Sequence, residues 1–194
     1  MDKAGVIFAL LTVAAVTAGS WFFAGVYVSM TTERVAYEVL DDIGDGVEIR
    51  QYGEMTVIST VAKDSGDAFS SLASYIYGGN DKDAKIDMTA PVLSSEEGDF
   101  VNMSFVLPDA YGLDNAPIPD DSGVSVHAIP ARKLAVIGFS GYANDDVIEK
   151  YRSILDQRLA ASDVSTKGDY FLMRYDPPWV PPALMHNEVA IEVE

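Results

Sequence analysis

Residues 85–92 read Lys-Ile-Asp-Met-Thr-Ala-Pro-Val (KIDMTAPV). The alternation predicts a β-strand with Ile86, Met88, Ala90 and Val92 on one face and Asp87 and Thr89 on the other. Pro91 has no N–H to give to a ladder, so the strand is expected at a sheet edge or at a bulge. Immediately upstream the period changes. Phe69, Leu72, Ala73 and Ile76 fall at i, i+3, i+4 and i+7, one face of a helix running from Asp67 to Tyr77. Ser65 or Asp67 can cap its start, and Gly78-Gly79 stops it.

Outward from this pair the same order recurs. Ala36–Leu40 and Val47–Tyr52 read as strands around an Asp45-Gly46 turn, and Met55–Ala62 as a third strand. Val101–Leu107 follows the opening stretch, and residues 109–123, rich in Pro, Gly and Asp, form a connecting loop. The second half supplies strands at Val124–Ile129 and Leu134–Tyr142, then a helix capped by Asn144 with Val147, Tyr151, Leu155 and Leu159 on its face. Tyr170–Tyr175 and Glu188–Val193 are the closing strands. Each half thus runs strand, helix, strand, strand, entered by Met55-Thr56-Val57-Ile58 and by Leu134-Ala135-Val136-Ile137. One helix cannot cover a sheet alone, so the expectation is a pseudo-twofold α+β domain with two helices flanking a curved or barrel-like antiparallel sheet.

The chain has 194 residues, 48% of them hydrophobic, which excludes a disordered polypeptide. A formal net charge of −17 repels phosphates, so no nucleic-acid partner is expected. The absence of cysteine excludes disulfides, thiolate metal sites and cysteine nucleophiles, and two histidines leave little imidazole chemistry. From Ala4 to Thr32 there is no charged residue, and about 20 apolar residues suffice to cross a bilayer. A cleavable signal is the rival, with small residues at Thr17-Ala18-Gly19-Ser20. The run nevertheless continues through Trp21-Phe22-Phe23 to Val28, beyond a signal core of about 7–15 residues. An uncleaved single-pass membrane anchor over residues 1–32 is expected, followed by a domain over 33–194. Lys3 and Arg34 nearly tie as flanking charges, and the free amino terminus favours N-inside with the acidic domain extracytoplasmic.

Several pieces resemble the SOUL/heme-binding-protein family: Tyr37-Glu38-Val39, Val47–Tyr52, Phe69-x-x-Leu72-x-x-Tyr75-Ile76, Gly78-Gly79-Asn80 and KIDMTAPV itself. Phe139-Ser140-Gly141, Tyr175-Asp176-Pro177-Pro178-Trp179 and Asn187-Glu188-Val189 complete the series in the family's order. The resemblance implies a distorted antiparallel β-barrel of two β-α-β-β units with two flanking helices. It also implies heme, or another tetrapyrrole, in a shallow apolar groove beside the first helix and near a loop close to the C-terminal strands. On this basis the groove residues are Phe69, Leu72, Ala73, Ile76, Tyr77, Lys167, Trp179 and His186.

Heme sites commonly offer an axial His, Met, Cys or Tyr and cations for the propionates. His186, after Pro181-Pro182 and just before the last strand, stands where the family commonly has a basic residue and is the candidate iron ligand. His127 alternates onto the polar side of its strand and reads as a rim residue. Asp67–Tyr77 holds no Lys or Arg, leaving Lys63, Lys82 and Lys85 as flanking cations. No spacing assembles a catalytic constellation. Phe139-Ser140-Gly141 lacks the full pattern of a nucleophile elbow, and no acidic pairs converge, so no enzyme is expected. Two functions remain: non-catalytic tetrapyrrole binding by a membrane-anchored domain for carriage, buffering or sensing, or an anchored protein-interaction or small-molecule effector-binding module for which heme is irrelevant.

Overall fold

Met55–Ala62 and Arg132–Ser140 are strands that alternate apolar residues to both sides, and each leads into a helix. The computed structural model describes residues 3–194. After helix α1 (Lys3–Thr31) the elements are β1 (Glu33–Arg34), β2 (Tyr37–Gly44), β3 (Val47–Tyr52), β4 (Met55–Ala62), α2 (Ser65–Ile76), β5 (Thr89–Ala90), β6 (Val92–Glu97) and β7 (Phe100–Val106). Then come β8 (Ser125–Ile129), β9 (Arg132–Ser140), α3 (Asp145–Ala161), β10 (Thr166–Arg174), a 3-10 turn at Pro182–Leu184 and β11 (His186–Val193).

Nine strands form one antiparallel sheet in the order β2-β3-β9-β11-β10-β6-β7-β4-β8. The order explains the repeat. β4-α2-β6-β7 and β9-α3-β10-β11 are equivalent units joined through β6 and β10, and each borrows the other's leading strand: β3 pairs with β9, and β8 with β4. The sheet is open, since β2 and β8 each have a single neighbour. The expected barrel is therefore not closed.

Both helices lie on one face. Ala135, Ile137, Phe139, Val189 and Ile191 pack with Leu155 and Leu159 of α3, while Ile58, Met103 and Phe105 pack with Leu72 and Ile76 of α2. The alternate residues, Val57, Leu134, Val136, Met173 and Ala190, form a second apolar layer on the face without helices. Asp45 and Gly46 both have positive φ (54° and 78°), as the two-residue hairpin joining β2 and β3 requires. Asn144 caps α3 as expected, accepting from the Val147 N–H at 3.0 Å. The α2 cap is Asp64, one residue upstream of the expected Ser65; its Oδ1 accepts from the N–H groups of Gly66 (2.8 Å) and Asp67 (2.9 Å).

KIDMTAPV does not form one strand. Lys85 makes an isolated bridge with Tyr77, and Pro91, after a cis peptide bond, separates β5 from β6. The break also resets the alternation. Ile86, Met88 and Val92 pack towards α2, while Ala90 joins the opposite layer with Leu93. Freed from the main sheet, Thr89 and Ala90 pair in parallel with Glu33 and Arg34, so this stretch holds the chain that leaves α1.

The turn after α2 is built on Asn80, which is buried. Its Nδ2 donates to the carbonyls of Tyr75 and Ala84 (both 2.9 Å), and its Oδ1 accepts from the N–H groups of Ala84 (3.0 Å) and Lys82 (3.3 Å). Gly79 is required beside it, because a Cβ there would sit 2.8 Å from the Ser74 carbonyl oxygen. Asn80→Ala strands these backbone groups and is expected to cost about 2 kcal/mol. Urea unfolding of the detergent-solubilised protein measures it, and a loss below about 0.5 kcal/mol contradicts this role.

Candidate functional site

Helix α2 carries two lines of apolar residues. The inner line is core: Leu72 is fully buried and Ile76 nearly so. These two residues, expected in the groove, lie beneath the surface because their i, i+4 spacing faces Ile58, Met103 and Phe105. The outer line is Phe69, Ala73 and Tyr77, one turn apart. Phe69 is 44% exposed, its ring edge-on to Phe105 at 5.2 Å, and Tyr77 is 71% exposed. The bridge between Tyr77 and Lys85 sets an exposed ammonium side chain next to the tyrosine. Lys82 donates from Nζ to the Asn115 carbonyl at 3.0 Å.

The other expected site residues lie elsewhere. Lys167 binds Glu192 at 2.8 Å, at the opposite end of β11 from His186. Six residues of strand separate those positions, about 20 Å. His186 projects to the face without helices, as Glu188 and Ala190 do, whereas α2 covers β4 and β7 on the other face. Trp179, 48% exposed, sits in the loop before β11. The eight residues therefore do not form one groove: four belong to α2 and Tyr77 caps it, Trp179 lies in the C-terminal loop, His186 opens β11, and Lys167 lies in β10 at the distant end of that pairing.

His186 is engaged. Its Nε2 lies 2.8 Å from Oε1 of Glu188, and its ring stands 4.7 Å from that of Tyr175. Glu188 is 1% exposed and accepts three bonds: from His186, from Arg50 Nη1 at 3.0 Å, and from Tyr175 O–H at 2.7 Å. Arg50 also reaches Glu48 (2.7 Å) and lies over the Tyr37 ring at 4.2 Å. Burial alone would raise the Glu188 carboxyl, but the bonds from His186 and Tyr175 and the Arg50 charge outweigh it and hold the group below the ordinary carboxylate range. Burial would lower the Arg50 guanidinium, and the Glu188 charge leads the effects that raise it instead. Burial and the adjacent carboxylate both push the Tyr175 phenol up.

This cluster escaped the sequence reading. Its signal is Glu48, Arg50 and Tyr52 at two-residue steps opposite the core pair Val47 and Ile49, mirrored by Glu188 between Asn187 and Val189.

A cavity of about 10 Å³ among Val35, Tyr52, Leu134, Phe171 and Met173 has room for one water at most. A larger cleft of about 360 Å³ opens at the edge, lined by Glu33, Arg34, Glu54, Asp109, Tyr111 and Thr89, whose buried hydroxyl has no protein partner. Among the described residues no cluster of three or more His, Asp or Glu is arranged to hold a metal ion.

The family model described as "SOUL heme-binding protein" matches residues 32–192, beginning where α1 ends. The chain belongs to this family. "Heme-binding protein 1" of Xenopus laevis is 30% identical to this SOUL chain over 155 residues, covering 71% of this chain and 80% of that protein. "Heme-binding protein 2" of Homo sapiens is 34% identical over 110 residues, covering 50% of this chain and about half (53%) of the human protein. Among solved structures, the C-terminal domain of EcmrR superposes with a TM-score of 0.58 at 15% identity, covering 81% of this chain and 98% of that one. A hydrolase from Listeria innocua gives 0.55 at 14%, covering 76% and 91%. At such identities the likeness is one of fold. The fold is shared between the SOUL domain and these proteins, while their chemistry is their own.

The buried carboxylate sets a pH dependence. Because its folded pKa is lowered, Glu188 contributes its full stabilisation above the unfolded value of about 4.3 and loses it as pH falls through the lower folded value. Glu188→Gln removes the buried carboxylate from Arg50, leaving it only the more exposed Glu48, and is expected to cost about 3 kcal/mol at neutral pH. Thermal melts from pH 7 to 3 should then show a shallower acid loss in the variant; parallel curves would exclude the pair as its source.

Proposed function

We propose that this protein binds heme or a related tetrapyrrole without catalysing a reaction on it, as a domain held at a membrane by α1, for carriage, buffering or sensing. The observation that carries the reading is the outer line of α2. Phe69, Ala73 and Tyr77 offer an apolar strip supported from beneath by Leu72 and Ile76, and Lys85 stands beside Tyr77. A flat macrocycle can lie on such a strip with a carboxylate towards the ammonium. Family membership and the names of the relatives from Xenopus laevis and Homo sapiens support the ligand class.

In this reading Phe69, Ala73 and Tyr77 contact the ligand, and neither His186 nor Lys167 does. His186 lies on the other face with its Nε2 held by Glu188, so iron ligation by it is not part of the site. The membrane half of the proposal is supported by the length and apolar composition of α1, enough to span a bilayer, and by the contacts that Trp21 and Gly25 make with the domain, which a cleaved signal would lose. The domain is taken to be extracytoplasmic, with the amino terminus inside.

Titrating the detergent-solubilised full chain with hemin is expected to give a saturable Soret shift. Phe69→Ala and Tyr77→Ala should each weaken binding about tenfold, equivalent to about 1.4 kcal/mol. His186→Ala should leave the spectrum unchanged. A folded protein with no shift at micromolar hemin defeats the proposal. It would favour the second reading, an anchored interaction or effector-binding module, which the cation-free length of α2 and the polar cleft at Thr89 support.

A further inference from the structure

From Pro177 to Met185 the chain reads Pro-Pro-Trp-Val-Pro-Pro-Ala-Leu-Met, without a charge, in a protein carrying 30 Asp and Glu. Val180, Pro181 and Met185 turn inward, while Pro178, Trp179 and Ala183 are exposed. Trp21 of α1 donates from Nε1 to the Trp179 carbonyl at 2.6 Å. One turn later Gly25 is buried against Val180, Pro181 and Leu184, and a Cβ there would lie 2.7 Å from the Pro181 Cδ. The level of this loop along α1 is therefore fixed at positions 21–25.

That level decides where the loop meets the bilayer. The helix from Lys3 to Ser20 spans about 27 Å at 1.5 Å per residue, close to the roughly 30 Å of hydrocarbon. Trp21 then stands at the boundary, where Trp side chains concentrate. Placing Leu10–Thr31 across the membrane instead would submerge the part of the domain that partly covers Gly25, Val26, Val28 and Ser29. We propose that Pro177–Met185 is a second membrane contact, seated in the headgroup layer beside α1 with Trp179 as its anchor. The proposal rests on α1 being a membrane anchor.

The loop's backbone suits that position. Four of its residues are prolines and have no N–H to desolvate. Of the remaining N–H groups, Val180 donates to Pro177, Leu184 to Pro181 and Met185 to Pro182, at 3.0, 2.8 and 3.2 Å. The Trp179 carbonyl is taken by Trp21. The N–H groups of Trp179 and Ala183 are left for the polar headgroup layer to satisfy, which fits a seat in that layer and not in the hydrocarbon.

The chain contains two tryptophans and no cysteine, which makes the test direct. The full chain is reconstituted into phosphatidylcholine vesicles, with Trp21→Phe leaving Trp179 as the reporter and Trp179→Phe leaving Trp21. Both tryptophans are expected to emit blue-shifted and to be quenched more by lipids brominated near the headgroup than by lipids brominated near the chain end. Because Trp21→Phe removes a loop contact, Ala183→Cys carrying an environment-sensitive fluorophore reports in the otherwise unchanged protein. Its emission should be shielded from aqueous iodide relative to the same label at Ser122→Cys. If Trp21 is quenched by bromolipid while Trp179 and the Ala183 label remain open to iodide, the loop contact is overturned and the anchor stands. If the protein fails to float with vesicles and neither tryptophan is quenched, the anchor reading falls and takes the loop contact with it.

Discussion

A carboxylate without access to water dictates the register of the central sheet. Glu188 needs donors on both oxygens, and they arrive from Arg50 on β3, Tyr175 after β10 and His186 on its own strand. β3 is the strand that the first unit lends to the second. A one-residue slip would turn Arg50 towards α3 among Val47 and Ile49 and leave Glu188 without its balancing charge, held only by Tyr175 and His186. Apolar alternation tolerates many exchanges of Val for Ile. An ion pair of this kind tolerates none, because an unpaired buried charge costs several kcal/mol.

The same arrangement governs where a ligand can go. The cavity of about 10 Å³ on the face without helices is enclosed by Val35, Tyr52, Leu134, Phe171 and Met173 and has no room for a macrocycle. Phe69 and Tyr77 are exposed on the outside of α2, and space for a small polar molecule exists in the edge cleft. The fold shared with the C-terminal domain of EcmrR and with the Listeria innocua protein does not by itself fix which surface takes a ligand.

Much of this was legible in the residues. The repeat of strand, helix, strand, strand was visible because each half alternates with period two and then switches to 3.6, and the pairing of β4 with β9 as equivalent strands follows from it. The exchange of leading strands was not, since it concerns partners far apart in sequence. Pro91 announced an interruption but not that it would send Ala90 and Val92 to opposite layers. At the site, a helical wheel could say that Phe69, Leu72, Ala73, Ile76 and Tyr77 cluster, but not that the line of Leu72 and Ile76 faces inward, because both lines are apolar. His186 drew attention as one of two imidazoles. Its partner Glu188 was hidden by its neighbours Val189 and Ile191, which mark the strand as ordinary core.

The position of β11 constrains the order of assembly. This strand, the last one described, lies in the middle of the sheet between β9 and β10 and bears the carboxylate to which β3 is tied. A nascent chain therefore holds β9 and β10 without the strand that joins them until His186–Val193 has been made. Until then the edges of β9 and β10 are unsatisfied and open to pairing with another copy. An acidic polypeptide at −17 has a defence, because like charge keeps incomplete copies apart while the final strand is made.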